Sequence, residues 1–475
     1  MWISLLVSCS LTTTSPEDCE SNAQCRDAFG IGWVCGEEGL CVDTPLPARC
    51  DRTIPPDLWA HRSDDYADAI VLGSVYERSE SLKDVQSIEL AIGQVNESEG
   101  LEGRSYALIQ CSNEEDAAYD ELTFDEATVA AATFLSDAVG VPAIMGPSYS
   151  SSTESVFLAV EGNGTMVISP SATSPALTAL DGLAPSDADP GLLWRTAPPD
   201  SLQGQAIALD LEGRGVGKVA IIYQEGPYGE GLTEVFLEHF SGQTELLLFD
   251  TAALLATYVA DTATGNADEV LFISSEKPDV VAFLNAAGPL SGYASKGIFL
   301  ADAAYDAAVL DQARSAAGDL FPNIRGTRPT TPSGPVYDTF LAAYSAAYGG
   351  ETAADSAYTA YAYDAAWLVV YGTAWSTYQN GDITGMGIAQ GLRKVSSGQE
   401  VLVRPTSWST VRASFDAGQS VDVVGASGTL DYDPITEETA TPIDVWTVNA
   451  PGTDFKIECT FDPTGLSGLP ADCLD

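Results

Sequence analysis

The chain has 475 residues and a formal charge of −48, from 20 Lys and Arg against 68 Asp and Glu. This length suggests two or three domains, and a hydrophobic content of 45% supplies enough apolar side chains to exclude wholesale disorder. Phosphate backbones and anionic lipid surfaces repel such an acidic chain, so we expect no nucleic-acid partner and no direct binding to a membrane surface.

The amino terminus carries a possible lipoprotein signal within residues 1–9. Leu6-Val7-Ser8-Cys9 has the aliphatic–small–small–Cys form of a bacterial lipobox, in which Cys9 carries the lipid. The apolar stretch before Cys9 is shorter than the ~7–15 residues of a secretory signal, and it has no preceding Lys or Arg. We therefore expect the true start to lie further upstream; the alternative is a terminus without a signal.

The remaining cysteines favour an oxidising compartment outside the cytoplasm, because their number is even. They are Cys19, Cys25, Cys35, Cys41, Cys50, Cys111, Cys459 and Cys473. The first four lie in a Cys-rich leader, residues 10–65. Because the segment that contains them is too small to bury a core, we expect two disulfide bonds to stabilise it. Cys459 and Cys473 could form a disulfide within a tail at 450–475. Cys50 and Cys111 would then form a disulfide with each other. A zinc knuckle is the alternative for the leader, but close Cys-x2-4-Cys pairs are missing, so we expect no metal.

From about residue 66, short strand-like runs alternate with helical patterns, which is typical of a parallel α/β sheet. The first series predicts strands at 69–75, 104–111, 141–145 and 166–168 and helices at 82–97, 125–139 and 151–161. After a change near 194–199, a second series predicts helices at 201–213, 230–240 and 278–287 and strands at 218–223, 245–249, 269–273 and 296–301. We predict a linker at 325–335, helices at 336–348, 356–375 and 386–395, and a hairpin at 428–449. Two such series predict two similar Rossmann-like lobes.

Enzymatic motifs are missing from the sequence. The two histidines are far apart, and there is no Gly-x-Ser-x-Gly elbow, Walker loop or His-Glu-x-x-His. We therefore expect a protein that is not an enzyme and needs no cofactor.

Two hydroxyl-rich loops, residues 146–153 and 169–174, follow neighbouring predicted strands. Ligands bind at the carboxyl ends of strands in open α/β sheets. Hydroxyls and free N–H groups at the start of a helix make a site for a carboxylate. Simple helix capping is the alternative for each loop taken alone. Two such loops side by side favour binding.

Three segments in order resemble the type I periplasmic solute-binding proteins, in particular the leucine/isoleucine/valine-binding branch. They are Gly146-Pro-Ser-Tyr-Ser-Ser-Ser-Thr153, Ile168-Ser-Pro-Ser-Ala-Thr-Ser-Pro175 and Pro227-Tyr-Gly-Glu-Gly-Leu232. The resemblance covers residues 66–449 and implies two lobes with parallel sheets joined by a multi-strand hinge. Lobe 1 would comprise 66–197 and 328–428, and lobe 2 would comprise 198–327 and 429–449.

The resemblance also implies a ligand site. Ser150, Ser171 and Thr173 would receive the carboxylate and ammonium of an amino acid from one lobe, and Asp302 would pair with the ammonium from the other. Further expected contacts are Tyr228, Tyr149, Ser275 and Tyr76, the last of these in compensation for Leu82, which stands where the family often has an aromatic contact.

The implied function is that of a binding lipoprotein outside the cytoplasmic membrane, anchored only through its lipid. It would capture a branched-chain-like amino acid or similar small carboxylate, present it to an ABC permease and act as a monomer. Alternatives are a clamshell sensor for a signalling partner, an extracellular enzyme that uses the cleft, and a structural protein with a degenerate cleft.

Overall fold

The computed structural model of the chain describes residues 18–182, 186–354, 356–450 and 452–462. The predicted lipidation site Cys9 and the predicted disulfide partner Cys473 lie outside these ranges. Among the described residues, no helix combines the length and the hydropathy needed to cross a lipid bilayer.

A small disulfide-held module comes first. It consists of helix α1 (Asn22–Phe29) and the antiparallel strands β1 (Trp33–Cys35) and β2 (Cys41–Asp43). Two bridges were expected here without a prediction of their pairing, and the structure pairs Cys19 with Cys35 and Cys25 with Cys41. Because all four thiols are used in disulfides, they are not free to bind zinc as thiolates.

The first sheet has six strands in the order β3-β5-β4-β6-β7-β8, and all except the edge strand β3 run parallel. Its strands are β3 (Arg52–Ile54), β4 (Ile70–Tyr76), β5 (Tyr106–Ser112), β6 (Ala143–Met145), β7 (Met166–Ser169) and β8 (Leu193–Arg195), and the intervening helices are α2 (Leu82–Glu97), α3 (Phe124–Thr133) and α4 (Ser150–Val160). The bridge Cys50–Cys111 ties the segment before β3 to β5. The predicted leader therefore contributes a strand to this sheet.

The second sheet has seven strands in the order β10-β9-β11-β12-β13-β16-β17. Its first elements alternate regularly: α5 (Asp200–Gly213), β9 (Lys218–Gln224), α6 (Pro227–His239), β10 (Gln243–Phe249), α7 (Ala252–Thr264), β11 (Glu269–Ile273), α8 (Lys277–Ala287), β12 (Gly297–Leu300), α9 (Ala307–Ala317) and β13 (Ile324–Pro329). Strands β9 to β13 are parallel.

The chain then returns to the first sheet before it completes the second. The returning elements are α10 (Pro335–Ala347), α11 (Thr359–Trp375), α12 (Gly385–Leu392), β14 (Gln399–Leu402), α13 (Trp408–Asp416) and β15 (Val421–Val424), followed by β16 (Ile443–Val448) and β17 (Phe455–Phe461). Helix α11 is buried along almost its whole length and packs in one core with α2 and the first sheet. This explains why its sequence is apolar on all sides.

We call the six-stranded sheet with its helices lobe 1 and the seven-stranded sheet with its helices lobe 2. The chain crosses between them at 196–199, at 330–334 and at 425–442. Two of the expected lobe boundaries, 197/198 and 428/429, lie within these crossings, and the third, 327/328, lies inside β13. The two-lobed parallel α/β fold agrees with the predicted fold class.

The predicted linker at 325–335 is wrong in its first half. Residues Ile324–Pro329 form β13, a central strand of lobe 2. Because β13 contains several polar residues, it lacks the apolar run that predicts a buried strand. Thr327 and Arg328 are buried, and Arg328 lies 3.5 Å from Asp444 and 3.6 Å from the centre of the Tyr305 ring. A buried charge with such partners is tolerated in a strand.

Other elements were missed. Helices α7, α9 and α13 and strands β8, β14 and β15 occupy stretches for which no element was predicted, and β17 lies in the segment predicted as a tail. Strand β17 pairs with β16 at the edge of the lobe 2 sheet, so this segment belongs to the lobe. Cys459 in β17 is disulfide-bonded.

Candidate ligand-binding site

A cavity lies between the two lobes, lined by residues of both. Lobe 1 contributes the serine loop after β6, and Ser150, which lines the cavity, is the first residue of α4. The first N–H groups of a helix have no acceptor within the helix, so this end of α4 suits an anion. Gly146 begins the loop with φ 91°, and a Cβ there would lie 2.5 Å from the carbonyl oxygen of Val75. Only glycine therefore allows this close turn.

The second hydroxyl loop lies beside the first, as predicted from the adjacent strands β6 and β7. Ser171 lines the cavity, and its hydroxyl donates to the Ser148 carbonyl oxygen at 2.9 Å. The Ser150 Oγ accepts a hydrogen bond from the Ser174 N–H at 3.2 Å. Ser174 in turn donates to the Pro227 carbonyl oxygen of lobe 2 at 2.6 Å. These bonds hold the two loops together and connect them to the opposite lobe.

Thr173 does not line the cavity. Its hydroxyl donates to Asp200 Oδ2 at 2.8 Å, where α5 begins. Thr173 therefore orients an acidic side chain behind the cavity instead of facing a ligand. Asp200 is 1% exposed, and its Oδ1 has no hydrogen-bond partner among the described residues.

Asp302 lies on the opposite wall, directly after β12, as predicted. Oδ1 accepts hydrogen bonds from the Tyr228 hydroxyl and from Gln203 Nε2, the latter at 3.2 Å. Oδ2 accepts from the Tyr358 hydroxyl at 2.6 Å. Tyr228 and Tyr358 both line the cavity, so two of the donors that hold this carboxylate are pocket residues.

The acidic groups at this wall influence one another. Burial and then the charge of Asp302 raise the pKa of Asp200 well above its ordinary value. Burial and then Asp302 also raise the pKa values of Tyr228 and Tyr358, so both phenols stay protonated as donors. A cation bound here would relieve the repulsion between two buried carboxylates.

The part of the cavity that is lined by the starts of α2 and α8 is polar and charged. Ser81 and Asp84 lie at the start of α2, and Lys277 is the first residue of α8. Lys277 Nζ forms an ion pair with Asp306 at 2.8 Å. Burial raises the pKa of Asp84 to about 7, against the opposing effect of nearby lysines.

Tyr149 and Ser275, two of the predicted ligand contacts, line the cavity, and the hydroxyl of each forms a hydrogen bond within the protein. Tyr149 donates to Glu80 Oε2 at 2.7 Å, and Ser275 donates to Gln224 Oε1 at 3.1 Å. The pair Tyr149–Glu80 also borders an open acidic recess, whose further lining carboxylates are Glu77, Glu114, Glu115, Asp116 and Glu276.

The expectation for Tyr76 was wrong. Its ring packs in the lobe 1 core with Val85 and Ile88 of α2, and its residue is 1% exposed. It does not line the cavity. As the last residue of β4, its side chain turns toward the helix layer, and the sequence alone did not specify this direction.

Sequence reasoning missed four residues of the site and its surroundings. Asp200, Asp84, Lys277 and Tyr358 precede or begin a helix, where polar residues are common. An acidic residue in a first helical turn ordinarily interacts with the helix dipole. Their positions along the chain therefore contained no signal that distinguished them from capping residues.

Comparison with known proteins identifies the family. A family model described as "Periplasmic binding protein" matches residues 73–415. The chain belongs to the periplasmic binding protein family. No curated protein matches this periplasmic binding protein.

Solved structures with the same fold include binding proteins for different carboxylates. LivJ from Streptococcus pneumoniae, a branched-chain amino acid transporter substrate-binding protein in complex with isoleucine, is 20% identical with a TM-score of 0.61, over 83% of this chain and 99% of that one. The leucine-binding protein LivK from Thermotoga maritima is 18% identical with a TM-score of 0.63, over 83% and 99%. A solute-binding protein of an ABC transporter from R. palustris, in complex with 4-hydroxybenzoate, is 16% identical with a TM-score of 0.63, over 85% and 99%.

Proposed function

We propose that this periplasmic binding protein is the extracytoplasmic substrate-binding component of an ABC transporter and captures an α-amino acid or a similar small carboxylate between its lobes. The main support for the proposal is that one cavity has a site suited to an anion on one wall and a site suited to a cation on the other. The start of α4 with Ser150 and Ser171 suits a carboxylate, and Asp302 across the cavity suits an ammonium.

The energetics favour a zwitterion held at both ends. A charged group that leaves water needs hydrogen bonds or a counter-charge in the protein. Hydroxyl and N–H groups of lobe 1 would satisfy the carboxylate, and Asp302 of lobe 2 would satisfy the ammonium. Because the two charges of one ligand would contact different lobes, binding would favour the closed arrangement, a hinge motion for which periplasmic binding proteins are a known example.

A ligand screen tests this proposal. The purified chain, freed of co-purified ligand by unfolding and refolding, would be heated with each α-amino acid and with small carboxylates such as benzoate. A ligand at ~100 times its Kd adds about 2.7 kcal/mol to the free energy of unfolding, which gives a measurable rise in Tm. We expect a rise with at least one α-amino acid, saturating at one ligand per chain. No rise with any of these compounds would refute the proposal.

The cellular setting is part of the same proposal. We infer that Cys9 is lipidated, that the lipid is the membrane anchor, that a monomer delivers the ligand to an ABC permease, and that no reaction is catalysed. The three described disulfides support export to an oxidising compartment. Labelling with radioactive palmitate in a bacterial host should mark the chain and fail to mark Cys9→Ala. Transport of the bound ligand should require the chain together with a permease.

A further inference from the structure

The part of the cavity formed by α2 and α8 contains a carboxylate oxygen that has no hydrogen-bond partner among the described residues. It is Oδ1 of Asp84, which lines the cavity and is 6% exposed. A buried polar atom without a partner costs about 1–3 kcal/mol, and more when it is charged. Such an atom at the wall of a ligand cavity indicates that the ligand supplies the missing partner.

The lysine in the lining of the same cavity, Lys277, does not fill this role. Lys277 Nζ pairs with Asp306 Oδ2 at 2.8 Å, and Asp84 Oδ1 has no hydrogen-bond partner among the described residues. Asp84 and Glu80 act on Lys277 only over a longer distance, through their charges. Asp84 therefore remains a buried acid that does not form an ion pair with Lys277.

The Tyr76 hydroxyl, close to Asp84, is a second buried group without a hydrogen-bond partner in the described part of the chain. It is near enough to Asp84 for that charge to contribute to a raised tyrosine pKa. The two groups do not bond to each other. Of the two groups, only Asp84 lines the cavity, so Asp84 is the one that can accept a hydrogen bond from an ammonium of the ligand.

The charge balance of the cavity points in the same direction. Its described lining has three carboxylates, Glu80, Asp84 and Asp302, and one ammonium, Lys277. The adjoining recess behind Glu80 is lined by further carboxylates, which attract cations toward this side of the molecule. An aliphatic side chain would leave Asp84 unsatisfied, and an anionic one would be repelled.

We propose, on the basis of the proposed function, that the ligand is an α-amino acid with a positively charged side chain, whose second ammonium binds Asp84 while its α-ammonium binds Asp302. This inference replaces the branched-chain-like ligand expected from the sequence with a basic one. The same hydroxyl loops of lobe 1 would hold the carboxylate. Asp84 would thus determine side-chain specificity, separately from the groups that hold the main chain of the ligand.

Two pairs of ligands with nearly the same shape test the proposal without any mutation. Ornithine and norleucine differ by an ammonium in place of a methyl group, as do 2,4-diaminobutyrate and norvaline. Calorimetric titration of the refolded full chain should give at least a 10-fold tighter Kd for one basic member than for its neutral partner. Equal or tighter binding of the neutral members overturns the inference and leaves the proposed function standing. If no α-amino acid or small carboxylate binds at all, the proposed function itself fails.

A charge-removing variant then assigns the specificity to one residue. Asp84→Asn should remove most of the preference for the basic ligand and change the Kd of its neutral partner by less than about 3-fold. Glu97→Gln is the matched control, because it removes one charge from the exposed far end of the same helix, α2, and it should leave both constants unchanged. A preference that survives in Asp84→Asn overturns the role of Asp84.

Discussion

The hydroxyl of Tyr358 donates a hydrogen bond to Asp302 Oδ2 at 2.6 Å, and this bond joins the two lobes across the cavity. Tyr358 precedes α11 in lobe 1, and Asp302 follows β12 in lobe 2. The carboxylate proposed to bind the ammonium of the ligand is therefore also a contact that stabilises closure. We therefore expect ligand binding and lobe closure to depend on the same side chain.

Tyr358→Phe removes this contact between the lobes. We expect ligand affinity to fall about 2- to 10-fold, because one hydrogen bond of this kind contributes about 0.5–1.5 kcal/mol and the ring remains in place. Calorimetric titration measures the affinity, and small-angle scattering measures whether the ligand still closes the lobes. Tyr223→Phe, which removes a hydroxyl on β9, is the control and should bind normally. Unchanged affinity in Tyr358→Phe would show that the bond does not contribute to closure.

Asp302→Asn should have a larger effect than Tyr358→Phe. The substitution keeps the size of the side chain but removes the charge that balances the ammonium, and an uncompensated buried charge is costly. We expect the Kd for the α-amino acid ligand to rise at least 10-fold. Asp311→Asn, which removes an exposed acid on α9, is the control. The assignment of Asp302 would be refuted by an Asp302→Asn variant that binds as tightly as the wild-type chain.

Stability should rise as the pH is lowered from 8 to about 5. Burial raises the pKa of Glu77 and of Asp84 to about 7 and that of Asp364 to about 6. A carboxyl whose pKa is higher in the folded than in the unfolded chain favours folding when it is protonated. That contribution is lost as the pH rises from the unfolded value, about 4, through the folded value. Calorimetry at pH 5, 6.5 and 8 would test this prediction, with the highest Tm expected at pH 5 and the lowest at pH 8. High salt would screen the net charge of the chain.

Glu77→Gln tests one contributor to that pH profile. Glu77 Oε1 accepts a hydrogen bond from Asn113 Nδ2 at 2.8 Å, and Oε2 has no hydrogen-bond partner among the described residues. A pKa raised from 4.5 to about 7 corresponds to a cost of about 3 kcal/mol at pH 8. The variant should therefore gain stability at pH 8 and lose part of the slope between pH 5 and pH 8. A Glu77→Gln variant whose profile runs parallel to that of the wild type would contradict this.

Removal of the disulfide Cys50–Cys111 should destabilise lobe 1. The bridge spans a sequence separation of 61 residues, and both cysteines are buried beside the first sheet. We expect the double substitution to alanine to cost about 2–5 kcal/mol, mainly because the unfolded chain is less constrained. Urea unfolding measures this loss. Double substitution of Cys25 and Cys41, in the leader module, is the comparison and should leave the unfolding of the lobes nearly unchanged.

The sequence predicted the parts of the fold that local patterns determine. Helix α2 was predicted with the bounds Leu82–Glu97, because its apolar residues recur with the helical period. The serine loops after β6 and β7 were predicted as neighbours, because parallel strands align their carboxyl ends. Strand β13 escaped prediction, because its buried Arg328 is stabilised by Asp444 and Tyr305, which are distant in the sequence.

Only the tertiary structure decided which side chains meet in the cavity. The hydroxyl loops that contain Ser150 and Ser171 were predicted from the order of elements, whereas Tyr228 and Asp302 were expected only from the family resemblance. Asp84 and Tyr358 come from segments far apart in the chain, and their sequence contexts are ordinary for helix starts. Their packing against the opposite lobe sets the burial, the missing partner of Asp84 and the bond from Tyr358 to Asp302. Local sequence thus determined most of the helices and strands of both sheets and the position of the two serine loops, whereas long-range packing determined the charge environment of the cavity.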